Sequence, residues 1–164
     1  VLLVSDLAWD DEGWPVVCES EMNGYYKIQN KATGEYFTIA FHNTMPGAKA
    51  ELAKEADRAS FEWQIYRKEE EYYRIQNRNS FKYLEVVGAS TDAGAAMQQG
   101  GYENRAHRLW QLVPQDDGYY RIVNKGSGLV LEAADPIEGG GSSVVQGEQQ
   151  ETDHQLWRLI WASN

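Results

Sequence analysis

Apolar and polar residues alternate in short stretches along most of the chain, with the period of two that is typical of half-buried strands. The clearest stretch is YYKIQN at residues 25–30, which a polar, Gly-containing turn follows at 30–34. A second apolar stretch at 36–40 and a strand containing Trp63 complete the pattern, with a third strand between them. The pattern predicts a chain built from short β-strands.

This pattern repeats with a spacing of 47 residues. YYKIQN at 25–30 recurs as YYRIQN at 72–77 and as YYRIVN at 119–124, and Trp63 recurs as Trp110 and Trp157. The chain therefore divides without gaps into a segment at 1–23 and three repeats, which we call first (24–70), middle (71–117) and last (118–164). A fixed internal period of this length indicates repeated supersecondary units that share one core.

Four strands per repeat give twelve strands in all. One repeat cannot bury both its Trp and its Tyr, whereas three repeats around a pseudo-threefold axis can, so the three tryptophans are predicted to be core residues. Residues 48–59 have helical propensity, but their counterparts at 95–106 and 142–153 are rich in Gly and Gln. We therefore predict a strand there too, and an all-β fold.

Composition limits the classes of partner. The 164 residues are 42% hydrophobic, which suits one domain with a short additional segment, and no run of about 18 apolar residues predicts a membrane span. The formal net charge of −10 argues against nucleic acid and polyanionic ligands, and leaves neutral glycans open. The single cysteine, Cys18, cannot form an internal disulfide.

The three Tyr-Tyr-[Lys/Arg]-Ile-x-Asn strands, each with a later Trp strand, resemble the ricin B-type β-trefoil and the family 13 carbohydrate-binding modules. The hallmark of that family is a Gln-x-Trp triplet in each repeat, and Gln155-Leu156-Trp157 matches it. The triplets that begin at Phe61 and Arg108 depart at the first position. The resemblance covers about residues 24–161 and implies a β-trefoil of three 47-residue repeats with pseudo-threefold symmetry.

The resemblance also implies one shallow sugar pocket per repeat. In such lectins an acidic residue after the second strand accepts hydrogen bonds from sugar hydroxyls, a loop aromatic stacks on the sugar ring, and a polar residue precedes the Trp strand. The first repeat has Thr38, Ala53 and Ser60 there and is predicted to be degenerate, so the pockets rank middle, last, first. The implied ligand-binding residues are Glu85, Tyr102, Asn104 and His107 in the middle repeat, and Glu132, Asp153, His154 and Gln155 in the last.

These positions also have ordinary structural interpretations. The family more often has Asp where this chain has Glu85 and Glu132, which could instead be solvated charges at strand ends. Tyr102 could be an ordinary loop aromatic, and His107 and His154 could cap local backbone. Because one repeat separates the two histidines, pseudo-threefold symmetry should hold them apart, and no metal or other cofactor is predicted.

The segment at 1–23 carries a second resemblance. VLLV at 1–4 predicts an apolar strand, which an acidic turn and a second strand follow within 9–17. WDDEGWPVV at 9–17 is similar to the closing strands of the family 43 glycoside hydrolase propeller. The resemblance implies that a catalytic propeller lies upstream in the same polypeptide. The alternative is an unrelated strand or linker.

The sequence thus favours a secreted, non-catalytic carbohydrate-binding module that targets an attached glycoside hydrolase to plant-type polysaccharide, with galactan, arabinan and xylan as candidates. A structural trefoil with inactive pockets, which braces a neighbouring domain, is the main alternative. A third interpretation is a hydrolase fragment that keeps activity. Acidic residues do cluster at 69–71 and 116–117, but both clusters fall at repeat junctions, where solvated turns are expected.

Overall fold

The computed structural model describes residues 8–9, 15–16, 24–54 and 57–163. Two short strands, β1 (Ala8–Trp9) and β2 (Pro15–Val16), pair in antiparallel fashion in the N-terminal segment. The strand that was predicted at 1–4 lies outside the described residues. Twelve strands follow, four per repeat: β3 (Tyr25–Asn30), β4 (Tyr36–Ile39), β5 (Ala50–Ala53), β6 (Trp63–Glu69), β7 (Tyr72–Asn77), β8 (Tyr83–Val86), β9 (Met97–Gly100), β10 (Trp110–Pro114), β11 (Tyr120–Asn124), β12 (Val130–Pro136), β13 (Ser142–Gly147) and β14 (Trp157–Ser163).

The first and fourth strands of the repeats form a closed ring. Within each repeat they pair with each other (β3 with β6, β7 with β10, β11 with β14), and each fourth strand also pairs with the first strand of the next repeat. Strand β14 closes the ring on β3. The second and third strands form the hairpins β4–β5, β8–β9 and β12–β13. This arrangement is a β-trefoil, which confirms the predicted fold.

The three tryptophans of the repeats lie in the core, as predicted. Trp63, Trp110 and Trp157 have no exposed surface. Each indole Nε1 donates to a backbone carbonyl 26 residues earlier in the chain, at 3.0–3.1 Å. Because a buried indole N–H needs an acceptor, this bond fixes each Trp strand against the second strand of its own repeat. These rings are therefore structural and are not available to a sugar.

The Asn that ends each Tyr-Tyr strand joins neighbouring repeats. The side chains of Asn30, Asn77 and Asn124 donate to the backbone carbonyls of residues 154, 60 and 107, at 2.9–3.1 Å. Their Oδ1 atoms accept backbone N–H groups of the turn that follows. Since residues 60, 107 and 154 lie at the predicted pockets, these three asparagines hold the rim of each pocket in place.

The stretch with helical propensity does form a strand, β5, as predicted, although residues 55–56 lie outside the described part. Short 3₁₀ turns connect the strands, at Ala40–His42, Ala59–Phe61, Val87–Ala89, Ala106–Arg108, Asp116–Gly118 and Asp153–Gln155. Among the described residues, no helix is long and apolar enough to cross a membrane.

Candidate functional site

Two glutamates occupy equivalent places in the middle and last repeats. Glu85 lies in β8 and Glu132 in β12, and each carboxylate faces a glycine of the paired strand, Gly100 or Gly147. A Cβ at either glycine would overlap Oε1 of the glutamate. The absence of a side chain at these glycines therefore leaves space for a Glu side chain, which is longer than Asp. Each carboxylate lies against the backbone of its glycine.

The carboxylate of Glu85 belongs to a buried network. Its Oε2 accepts from Arg108 Nε at 2.6 Å and faces His107 Nε2 at 3.0 Å, and its Oε1 accepts from Gln98 Nε2 at 3.1 Å. Arg108 also donates to the carbonyl of Gly101. Only 6% of the Glu85 side chain is exposed, so most of its capacity to accept hydrogen bonds is used inside the protein.

The carboxylate of Glu132 has fewer internal partners. Gln155 Nε2 donates to Glu132 Oε2 at 3.0 Å and to the carbonyl of Glu148 at 2.7 Å. Gln155 is fully buried, and its Oε1 accepts the backbone N–H of Gln150. Within residues 24–54 and 57–163, no other side chain donates to Glu132, which is only partly buried. Gln155 therefore orients this carboxylate through Oε2, and no described side chain donates to Oε1, which lies against Gly147.

Tyr102 and Asn104 belong to a separate cluster around Arg74. The Arg74 guanidinium lies 4.2 Å from the centroid of the Tyr102 ring, and its Nη2 donates to Asn104 Oδ1 at 3.4 Å. Tyr83 meets Tyr102 edge-on, with ring centroids 6.0 Å apart. A hydrogen bond from Arg74, together with the charges of Arg74 and Lys68, lowers the pKa of the Tyr102 phenol. The cluster holds the aromatic ring of Tyr102 against Arg74, with 64% of the residue exposed.

The first repeat has hydroxyl groups where the other two have carboxylates. Thr38 Oγ1 donates to the Ser60 carbonyl at 3.1 Å, and Ser60 Oγ lies 2.6 Å from His42 Nδ1. Phe61, at the position of Arg108 and Gln155, is buried. At the position of Glu85 and Glu132 this repeat therefore has a neutral hydroxyl, while Glu51 lies opposite Thr38 on the paired strand β5. Across the described part of the chain, no group of three or more His, Cys, Asp or Glu side chains could hold a metal ion.

Comparison with known proteins identifies the family. A family model described as ricin-type beta-trefoil lectin domain-like matches residues 10–100, 63–146 and 106–164. The chain belongs to this family. Comparison of the sequence with curated proteins gives no match.

Solved structures share the ricin-type trefoil fold. The designed threefold-symmetric protein ThreeFoil is 30% identical, with a TM-score of 0.81 over 85% of this chain and 100% of its own. The exo-β-1,3-galactanase 1,3Gal43A of Clostridium thermocellum is 20% identical, with a TM-score of 0.81 over 92% of this chain and 32% of its own. A Polyporus squamosus lectin bound to a sialylated epitope is 16% identical, with a TM-score of 0.70 over 83% of this chain and 48% of its own.

This ricin-type trefoil brings some of the predicted residues together and separates others. Glu85 contacts His107, and Glu132 contacts Gln155. The His154 ring instead faces Thr152, and Asp153 pairs with Lys31 at 3.4 Å. Sequence reasoning did not identify the remaining contributors, Gln98, Arg108, Arg74, Gly100 and Gly147. A signal existed for the two glycines, since they are one repeat apart and accompany the only two repeats with Glu.

Proposed function

We propose that this lectin-like trefoil is a non-catalytic carbohydrate-binding module that holds an attached glycoside hydrolase on a neutral plant polysaccharide. The main support for this proposal is the environment of the Glu132 carboxylate. Gln155 bonds one of its oxygens, and among the described side chains no other donor competes for it. An oriented, partly exposed carboxylate is a strong acceptor for the hydroxyl groups of a sugar.

The two carboxylates differ in what they can still accept. An ionised carboxylate has about four lone-pair sites. Glu85 uses three of them on His107, Arg108 and Gln98, whereas Glu132 uses one on Gln155. The geometry therefore favours the last pocket for hydroxyl recognition, an order that differs from the ranking by sequence because Arg108 replaces the family's Gln. The middle repeat offers the exposed ring of Tyr102 as a stacking surface.

The attachment to a hydrolase rests on the N-terminal segment. The galactanase aligns over 92% of this chain, a larger share than the three repeats make up, and WDDEGWPVV at 9–17 is similar to the end of a family 43 propeller. In this proposal the module is secreted with that enzyme, and galactan, arabinan and xylan are the candidate polymers. The net charge of −10 disfavours acidic polymers.

Affinity electrophoresis in gels that contain galactan, arabinan or arabinoxylan tests the proposal. We expect one polymer to retard the wild type, and Glu132→Gln to weaken this binding by about tenfold or more, because hydrogen bonds to a charged group contribute about 1.5–3 kcal/mol. Glu138→Gln is the matched control, since it removes an exposed carboxylate from the same repeat. Equal losses in the two variants would contradict a role for the Glu132 pocket.

The internal network of Glu85 supports a second candidate function. If every pocket resembled the middle one, in which buried donors already satisfy the carboxylate, the trefoil would only brace a neighbouring domain. In that case no gel polymer would retard the wild type, and Glu132→Gln would change nothing that the gel measures.

A further inference from the structure

Three large apolar side chains stand out on the surface between the first and middle repeats. Phe41 is 96% exposed, Met45 64% and Phe81 67%. We call these three residues the phenylalanine surface. Phe41 lies in the 3₁₀ turn after β4, Met45 in the loop that follows, and Phe81 in the turn between β7 and β8. None of the three is an anionic acceptor, so this surface differs in chemistry from the carboxylate pockets.

Hydrogen bonds hold the two loops together. Asn79 Nδ2 donates to the carbonyl of His42 at 3.0 Å, next to Phe41. Ser80 Oγ, next to Phe81, donates to Gln99 Oε1 at 2.7 Å, and Gln99 Nε2 donates to the carbonyl of Met45 at 2.8 Å. Gln99 is fully buried, so its side chain links the two loops from the interior of the protein. Hydrogen bonds therefore hold the backbone of the loops that carry the phenylalanine surface in a fixed arrangement.

Both phenylalanines adopt a backbone conformation that disfavours them. Phe41 has φ of 56° and Phe81 has φ of 60°, in the left-handed region that favours glycine. The residue one repeat after Phe41 is Gly88, with φ of 65°. The residues one repeat before and after Phe81 are Gly34 and Gly128, with φ of 71° and 74°. All three repeats share this backbone shape at the position of Phe81, whereas at the position of Phe41 only the first and middle repeats do, since Asp135 lies in β12. Glycine adopts the shape in the other repeats, so it does not require phenylalanine.

Pseudo-threefold symmetry provides an internal comparison. At the junction between the middle and last repeats, the residues equivalent to Phe41, Met45 and Phe81 are Gly88, Asp92 and Gly128. At the junction between the last and first repeats, they are Asp135, Gly139 and Gly34. Glycine and aspartate occupy all six of these equivalent sites. Two exposed phenylalanines in a strained conformation, present at one junction of three, indicate a function in binding rather than in folding.

We propose that the phenylalanine surface stacks on the sugar rings of the same polysaccharide and is a second, carboxylate-free contact. This inference rests on the proposed function. Aromatic rings suit the C–H face of a sugar. Three side chains offer less than the roughly 800 Å² per partner that a standard protein interface buries, which disfavours a second protein as the occupant. Two contacts on one polymer raise avidity beyond that of either alone.

The test replaces both phenylalanines by the glycine that the other repeats carry. In the same galactan, arabinan and arabinoxylan gels, we expect Phe41→Gly/Phe81→Gly to weaken binding by about tenfold, the loss of roughly 1.4 kcal/mol of stacking. The melting temperature should stay equal or rise, because glycine relieves the left-handed strain. Ala89→Gly, at φ of 53°, makes the same backbone change without removing an aromatic ring and should bind as the wild type does.

Each outcome has a distinct meaning. If no polymer retards the wild type, the proposed function fails and this inference fails with it. If Glu132→Gln weakens binding but Phe41→Gly/Phe81→Gly does not, the proposed function stands and this inference alone is wrong. If the double variant keeps its binding but sedimentation shows that a dimer has become a monomer, the surface is a contact between copies of the chain, which also overturns the inference.

Discussion

Replacing Trp110 by alanine is expected to remove most of the stability of the folded chain. The ring has no exposed surface, and its Nε1 donates to the carbonyl of Leu84 at 3.1 Å. Truncating a buried Trp costs about 3–5 kcal/mol, and the orphaned carbonyl adds about 1–3 kcal/mol. Native domains are stable by only about 5–15 kcal/mol, so the loss approaches the total.

Urea unfolding followed by circular dichroism measures this loss. Trp161→Ala is the matched control, because the same ring is removed from a position that is 52% exposed, and we expect it to cost much less. A loss below about 1 kcal/mol for Trp110→Ala would contradict the structural role assigned to the buried tryptophans.

Replacing Glu85 by alanine is expected to destabilise the protein more than the same change at Glu132. Without Glu85, the buried guanidinium of Arg108 loses its nearest carboxylate and keeps only the half-exposed Glu103, at 3.7 Å from its Nη1. Removing one partner of a buried ion pair costs about 3–5 kcal/mol. Without Glu132, the neutral amide of Gln155 loses one acceptor, which costs about 1–3 kcal/mol. The two glutamates are equivalent by symmetry, but Glu85 also has Gln98 and His107 as partners, whereas Gln155 alone bonds Glu132 among the described side chains.

Chemical denaturation of the two single variants measures the difference. Glu85→Ala combined with Arg108→Met should recover much of the lost stability, because the double change removes the unpaired charge as well. Equal losses in the free energy of unfolding for Glu85→Ala and Glu132→Ala would show that the Arg108–Glu85 ion pair adds no extra stability. For carbohydrate binding we expect the reverse order, with a larger loss for Glu132→Ala than for Glu85→Ala.

Much of the fold was predictable because its determinants repeat along the chain. The 47-residue spacing of Trp63, Trp110 and Trp157 identified twelve strands, one shared core and the threefold arrangement. The repeat also outweighed the helical propensity of residues 48–59, since the two other copies of that stretch are rich in Gly and Gln. Local propensity was overruled there by the requirement that equivalent segments adopt equivalent structures.

The candidate site was less predictable because it depends on which donor reaches each carboxylate. The sequence placed Glu85 and Glu132 correctly in equivalent strands, but it did not show that Arg108 closes one pocket while Gln155 orients the other. It also placed Tyr102 beside Glu85, whereas the ring packs on Arg74, a residue of β7 that is 28 positions earlier in the chain. Such contacts follow from side-chain geometry between separate strands, which a periodic pattern does not encode.

Titration of the ¹⁵N-labelled protein with oligosaccharides released from galactan, arabinan or arabinoxylan tests the central claim most directly. Two-dimensional NMR resolves the side-chain amide of Gln155 and the backbone amide of Gly147, which lie on either side of the Glu132 carboxylate. We expect both signals to shift saturably with one of the sugars and to stop shifting in Glu132→Gln. Saturation of neither signal by any of these sugars, in protein that is fully folded, would contradict carbohydrate binding at this pocket.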